Sequence, residues 1–128
     1  MRRPLLLGAL VCFVASAAKA QDPAKVDPQH CKVEFENAQV RVLRWHEDPH
    51  AKSPMHEHPA YVEISLTGGR TRFTLPDGTT KEVETKAGQV SWNESQKHSS
   101  ESLSDSPTEA IQVELKGRAH APAKKKKM

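Results

Sequence analysis

Residues 54–63, which read PMHEHPAYVE, decide how this chain of 128 residues is interpreted. His56 and His58 are separated by one residue, so in an extended backbone both imidazoles project from the same face. Two such side chains can bind one metal ion when hydrogen-bond acceptors orient their remaining ring nitrogens. An isolated His-x-His pair in a chain with seven histidines more often lies on the surface, so the metal interpretation depends on residues later in the chain.

Two such residues favour a metal site. Glu63 follows His58 by five residues and shares a strand face with Tyr61. If that face is interior, its carboxylate needs a partner, because burying it alone costs several kcal/mol. His98 comes after Trp92 and the loop Asn93–Lys97, in a position to reach the same centre from a neighbouring strand. The other histidines have no partner at useful spacing and are assigned to the surface or to incidental packing: His30, His46, His50 and His120.

The apolar residues of the central region recur with a period of two, which indicates β-strands. Six strands are predicted, at Gln39–Trp45, Tyr61–Thr67, Thr71–Leu75, Lys81–Thr85, Gln89–Trp92 and Ala110–Leu115. In the last of them Ile111, Val113 and Leu115 share one face, which we expect to be buried. No strand is predicted in residues 48–54 or in the polar stretch after His98. Short strands separated by turn residues at regular spacing are typical of a β-sandwich or β-barrel.

The two ends of the chain differ from this central region. In residues 1–20, two arginines precede the apolar run Leu5–Val14, and Ala18-Lys19-Ala20 has the form of a cleavage site. This pattern predicts a secretory signal peptide that is removed after Ala20, and hence export to the periplasm or the medium. The apolar run is shorter than the ~20 residues of a transmembrane helix, so no membrane insertion of the mature chain is expected. Residues 118–128 are rich in lysine and are predicted to form a disordered tail.

The charge distribution excludes a basic nucleic-acid-binding body. The whole chain has a formal net charge of +3, but its surplus of basic residues lies at the two ends. Residues 21–118 contain 12 basic and 16 acidic side chains. No basic stripe is therefore left in the predicted domain, and no nucleic-acid partner is expected.

Cysteine usage argues against a disulfide-stabilised scaffold. Cys12 leaves with the predicted signal peptide, so the mature chain retains Cys31 alone, and one cysteine cannot form an internal disulfide. The simpler interpretation of Cys31 is a small, half-buried residue near the start of a strand. The alternatives are a further metal ligand or an intermolecular bridge.

The histidine-containing segment resembles the first motif of the cupin superfamily, G-x5-H-x-H-x3/4-E-x6-G. His56, His58 and Glu63 match its three polar positions, although its leading glycine is absent. The second motif, G-x5-P-x-G-x2-H-x3-N, is matched more loosely, at Gly88 and His98, with an interval one residue shorter.

The resemblance covers residues 37–117 and implies an all-β fold, the double-stranded β-helix (jelly-roll) barrel. Residues 21–36 would then form an N-terminal arm that precedes the barrel. Tyr61 and Trp92, if interior, would line the pocket or pack the barrel. By resemblance, four side chains become the ligands of one metal ion: His56, His58, Glu63 and His98.

Three imidazoles and a carboxylate suit one divalent first-row ion, namely Mn, Fe, Ni, Cu or Zn. Four protein ligands leave coordination positions open, as catalysis or ligand binding requires. Two functions therefore remain open. The protein is a small metal-dependent oxygenase, isomerase or lyase, or it is a non-catalytic module that binds a small ligand and holds a structural metal. The oligomeric state is left open by the sequence, and the exposed edge strands of the sheets would allow a homodimer.

Overall fold

The computed structural model describes residues 21–117, and it is almost entirely β-structure. The predicted signal peptide at residues 1–20 and the lysine-rich tail at residues 118–128 lie outside the described residues. One short helix and nine strands follow each other along the chain: α1 (Pro23–Val26), β1 (Cys31–Glu36), β2 (Val40–Glu47), β3 (Lys52–His58), β4 (Tyr61–Ser65), β5 (Gly69–Thr74), β6 (Thr80–Thr85), β7 (Val90–Asn93), β8 (Gln96–Ser102) and β9 (Thr108–Leu115). Within these residues, no helix has the length and apolar character needed to cross a membrane.

The strands form two antiparallel sheets that face each other. Five strands form one sheet in the order β1-β2-β9-β4-β7, and four form the other in the order β3-β8-β5-β6. From β2 to β5 the chain changes sheet at each connection, and so it does from β6 to β9, which is the jelly-roll arrangement of two Greek keys. The predicted double-stranded β-helix is therefore confirmed.

The predicted barrel is not closed among residues 21–117. No strand of one sheet pairs with a strand of the other, so the described strands form an open two-sheet sandwich. The physical reason is that the chain passes between sheets through turns, such as the one at Pro59-Ala60, where the hydrogen-bond ladder is interrupted.

Residues 21–36, predicted to be an N-terminal arm, belong instead to the folded domain. Strand β1 pairs with β2, and Cys31 lies opposite Trp45 with its side chain buried. Burial raises the pKa of the Cys31 thiol to about 12, so this residue is a neutral thiol, more deeply buried than the simpler interpretation predicts. Asp22 caps α1 by accepting a hydrogen bond of 3.0 Å from the Ala24 amide.

The six predicted strands are present with small differences at their ends, but two strands besides β1 lie where none is predicted. Strand β3 begins at Lys52, inside the segment predicted as a loop, and β8 occupies the polar stretch that contains His98. Both strands direct small polar side chains inward, because Ser53 and Ser100 are buried. A search for alternating apolar residues cannot detect these strands, because the side chains on their inner faces are serine and histidine.

The interior of the sandwich is largely polar, which reverses the face predicted for β9. Ile111, Val113 and Leu115 face outward, while Gln112 and Glu114 are buried between the sheets. The buried hydrophobic cluster is small and consists of Cys31, Leu43 and Trp45, with Ala24 and Ala110 packed against it. The remaining interior contains a cavity between the two sheets, which both polar and aromatic side chains line.

Candidate metal centre

Three buried histidines meet between the sheets. Strand β3 supplies His56 and His58, and their alternate positions place both rings on its inner face, as predicted. Strand β8 supplies His98, which lies directly opposite His56 in the β3–β8 ladder. Each histidine offers one ring nitrogen to a group in which all three nitrogens lie within 4.8 Å of one another. This arrangement has the size and the ligand type of a metal-binding site.

The hydrogen bonds of two histidines fix which ring nitrogen is free. The Nδ1 atom of His56 lies 2.8 Å from the Pro54 carbonyl oxygen, and since a carbonyl only accepts, Nδ1 donates and Nε2 is left with its lone pair. In the same way, Nδ1 of His58 donates to Oε1 of Glu114 at 2.9 Å. Both contacts are of the kind that orients a metal-binding imidazole.

Two ring nitrogens of the cluster are buried without a partner among residues 21–117. They are Nε2 of His58 and Nδ1 of His98. A buried polar atom without a hydrogen bond costs about 1–3 kcal/mol, so such atoms need an explanation. A cation bound at the free nitrogens would satisfy the Nε2 lone pair of His58, and the three residues therefore fit a metal.

Two of the three histidines, His56 and His98, are held in the neutral form that a metal requires. Burial lowers the pKa of His56 to about 4, with a further contribution from neighbouring His58. Burial also lowers the pKa of His98 to about 3, and the other two imidazoles act in the same direction. Since protonated imidazole cannot bind a cation, His56 and His98 can act as ligands at neutral pH without first losing a proton.

Glu63, the fourth predicted ligand, lies on β4 in the opposite sheet and lines the same cavity. Its Oε2 accepts a hydrogen bond of 2.9 Å from Nε2 of Gln112, whose Oε1 accepts one of 2.7 Å from Trp45. The carboxylate does not belong to the group formed by the three imidazoles. The structure thus brings three of the four predicted residues together, and ligation by Glu63 stays a prediction.

A chain of polar contacts extends from His58 to the start of the domain. Glu114, which accepts from His58, also lies 3.8 Å from Nη1 of Arg41. Arg41 in turn donates two hydrogen bonds to Asp22, at 3.0 and 2.6 Å. Neither Glu114 nor Gln112 is predicted from the sequence, because the prediction for β9 considers only the apolar half of its alternation. Both residues could have been recognised from their spacing, because Gln112 and Glu114 alternate with the aliphatic residues of β9 and therefore share one face of the strand.

Aromatic rings surround the cluster on several sides. The Trp45 ring centroid lies 5.3 Å from that of His56, Tyr61 lies 4.9 Å from His58, and Phe73 lies 4.7 Å from His98. These rings exclude water from most of the imidazole surface. Tyr61 is fully buried, as expected of an interior residue, and burial raises the pKa of its phenol.

Trp92 does not line the cavity, and its predicted interior position is wrong. Its side chain is half exposed on the outer side of β7, where Nε1 donates to Glu94 at 2.7 Å. The reason is the register of β7, which places Trp92 opposite the outward-facing Val62. Glu94, the loop carboxylate nearest to His98 in sequence, is thereby also directed away from the site.

The cavity beside the histidines has a volume of about 80 Å³. Two acidic residues that are not predicted from the sequence line it, Glu47 at the end of β2 and Glu109 on β9. Burial raises the pKa of Glu47 above its ordinary value, and the neighbouring acids Asp27 and Glu63 add to the effect. The cavity therefore combines free imidazole nitrogens with a carboxyl group whose pKa is raised by burial.

The histidines assigned to the surface or to packing lie outside the cluster. His30 bonds to Asp27 at 2.8 Å, and the exposed His46 and His50 each contact an acidic side chain. His120 lies outside the described residues.

No protein-family model matches the sequence, and no curated protein matches it either. Solved structures do match. A cupin domain from Bordetella pertussis is 24% identical over 68% of this chain and 92% of its own, with a TM-score of 0.63. A double-stranded β-helix protein from Klebsiella pneumoniae is 22% identical over 70% of this chain and 77% of its own, with a TM-score of 0.55. A polyketide cyclase from Streptomyces resistomycificus is 18% identical over 69% of this chain and 65% of its own, with a TM-score of 0.50. Together with the strand order, these likenesses show that the chain has the double-stranded β-helix fold of the cupin superfamily.

Proposed function

We propose that this protein is an exported metal-binding protein in which His56, His58 and His98 hold one divalent first-row ion. Glu63 is proposed as the fourth ligand, since it faces the same cavity. The observation that carries the proposal is the buried Nε2 atom of His58, which has no hydrogen-bond partner among residues 21–117 and belongs to a group of three buried imidazoles. Mn, Fe, Ni, Cu and Zn all suit this donor set.

A bound ion supplies a Lewis acid with coordination positions open to a small ligand. The other roles fall to the residues of the chain. Glu114 holds the proton on Nδ1 of His58 and thereby directs Nε2 into the cavity. Trp45 and Phe73 shield the imidazoles from water. Glu47 is placed to give or take a proton at the cavity wall.

The presence of Glu47 favours an enzyme, which we propose to be a small oxygenase, isomerase or lyase. General acid–base catalysis requires a group whose pKa is moved toward the working pH, and burial moves the pKa of Glu47 in that direction. The likeness to a polyketide cyclase supports the proposal only in that an enzyme is built on the same fold.

The second candidate is a non-catalytic module with a structural metal. It is favoured by the small cavity of about 80 Å³, well below the ~300–1,000 Å³ of typical ligand pockets. Thermal melting with and without a chelator, combined with a screen for turnover, separates the two candidates. A large loss of stability without turnover on any substrate supports the module, and turnover that disappears with the metal supports the enzyme.

Metal content tests the proposal common to both candidates. Untagged protein should contain about one divalent ion per chain by elemental analysis, and His56→Ala and His98→Ala should contain far less. His46→Ala is the matched control, since His46 is exposed and lies outside the cluster. Equal metal content in all four proteins would contradict the proposal.

We also propose that the chain is exported with cleavage after Ala20 and that it associates as a homodimer. Mass spectrometry of the protein recovered from its native host tests the cleavage, and a chain that begins at Gln21 is the expected product. An intact residue 1–20 segment in the mature protein would contradict it.

A further inference from the structure

The outer side of the five-stranded sheet carries a continuous apolar surface, here named the apolar face. One row crosses all five strands through successive pairs: Phe35, Val42, Val113, Val62 and Trp92. A second row adds Ile111, Ile64 and Val90 on three of those strands. Three residues of the face are more than half exposed, namely Val90 at 64%, Phe35 at 54% and Trp92 at 53%.

This face is unusual because of what lies on the other side of the same strands. In β9 the outward residues are aliphatic, whereas the inward residues Gln112 and Glu114 are polar and buried. A sheet of a monomeric protein normally directs its apolar residues inward and its polar residues to solvent. A contiguous apolar patch of several hundred Å² marks an interaction surface.

We infer that the apolar face packs against the same face of a second copy of this chain. The inference rests on the proposed homodimer and names the surface that forms it. Self-association of this kind is independent of the metal, whose residues lie between the sheets and not on the outer side.

The shape of the face suits an identical partner. Strands lie about 4.8 Å apart, so five of them span roughly 24 Å, and rows two residues apart add about 7 Å each along the strands. With a polar rim, this area approaches the ~800 Å² per partner of a standard interface. Two sheets that pack face to face must have matching right-handed twists, and a second copy supplies the same twist by construction.

The charges around the face also favour a second copy over a membrane. Its rim pairs basic with acidic side chains: Arg44 lies 2.7 Å from Glu34 and 3.8 Å from Glu109. A nearly neutral border lets two identical surfaces approach without repulsion. Anionic lipid would instead select a face bordered by unpaired lysine and arginine.

Sedimentation equilibrium of the purified mature protein tests the inference. Wild-type protein should be a dimer at micromolar concentration. Phe35→Glu combined with Val90→Glu should raise the dimer Kd at least about 100-fold and leave a monomer with unchanged metal content, because both side chains are exposed and distant from the imidazoles. Leu75→Glu is the control, since Leu75 is 38% exposed but lies beyond β5 and outside the apolar face, and it should leave the dimer intact.

Two results would overturn the inference. The first would also contradict the proposed homodimer, whereas the second would contradict only the location of its interface. A monomeric wild-type protein would contradict the homodimer itself, whether or not the protein floats with anionic vesicles. A dimer that survives the double substitution would place the interface elsewhere, for example at a sheet edge, and would leave self-association standing.

Discussion

The contact between His58 and Glu114 shows how one residue determines what another can do. The carboxylate accepts from Nδ1, so the imidazole keeps a single tautomer whose Nε2 lone pair is directed to the centre of the cluster. Glu114 is itself buried, and Arg41 at 3.8 Å offsets part of the cost of burying its charge. The position of one ring nitrogen thus depends on side chains from three strands.

We predict that Glu114→Gln lowers the affinity for the metal by about 10–100-fold, the usual effect of losing a residue that orients a ligand. The amide preserves size but removes the negative charge that holds the proton on Nδ1. Competition with a chromophoric chelator measures the change. Glu82→Gln, on the exposed surface of β6, should bind the metal as wild type does, and an equal loss in both variants would contradict the prediction.

Strand β9 contributes to both faces of its sheet. It lies between β2 and β4, directs Gln112 and Glu114 into the cavity, and directs Ile111 and Val113 into the apolar face. Loss of β9 would leave β2 and β4 without the strand that lies between them. It would also remove Glu114, which accepts the hydrogen bond from His58, and the central residues of the apolar face.

The corresponding prediction compares two shortened chains. A chain that ends at Thr108 should fail to fold and to bind metal, because it loses the strand that pairs with β2 and β4 and, with it, the buried side chains of Gln112 and Glu114. A lost buried polar contact costs ~1–3 kcal/mol, against a total stability of ~5–15 kcal/mol. A chain that ends at Arg118 retains all of β9 and should keep its melting temperature and metal content. Calorimetry and elemental analysis of both chains check this. A large loss in the longer chain would show that the lysine-rich tail contributes to the domain.

The elements also show where the sequence is informative. The inner faces of β3 and β4 are predictable from the metal-binding chemistry of their polar side chains. Histidines and a carboxylate that line one cavity must each lie on the inner face of their own strand, and this prediction does not depend on hydropathy. The face predicted for β9 is wrong because its aliphatic residues are expected to be buried. Strand β8 escapes prediction for a related reason, since its inner residues are histidine and serine. Period-two patterns locate strands in this chain, but only the polar residues reveal which side is the interior.

At the scale of the whole molecule, a small hydrophobic cluster supports a domain with a polar interior. Three buried residues, Cys31, Leu43 and Trp45, form that cluster. The stability of the metal-free protein should therefore be modest and should depend on the protonation of its buried imidazoles.

We predict that the metal-free protein loses stability as the pH falls from about 6.5 toward 4. The folded-state pKa values of His56 and His98, about 4 and about 3, lie below the ordinary 6.5, so in this window the unfolded chain binds protons that the folded chain does not. The contribution is fully present above pH 6.5 and amounts to a few kcal/mol, since one pKa unit corresponds to ~1.4 kcal/mol. Urea unfolding between pH 7.5 and 4.5 measures it. A stability that is flat or rises over this range would contradict the predicted direction.

The pairing of His56 with His98 across the β3–β8 ladder has a consequence for the lifetime of the fold. An ion held by both side chains would close a loop of 42 residues, and a covalent link of that span constrains the unfolded chain by about 4 kcal/mol in the loop-entropy account of disulfides. The protein would thus possess a removable cross-link, although its described part has only one cysteine. Because the stabilisation grows with the free concentration of the ion, resistance to proteolysis should follow metal supply. In a compartment rich in proteases, the abundance of this protein would then report how much metal is available.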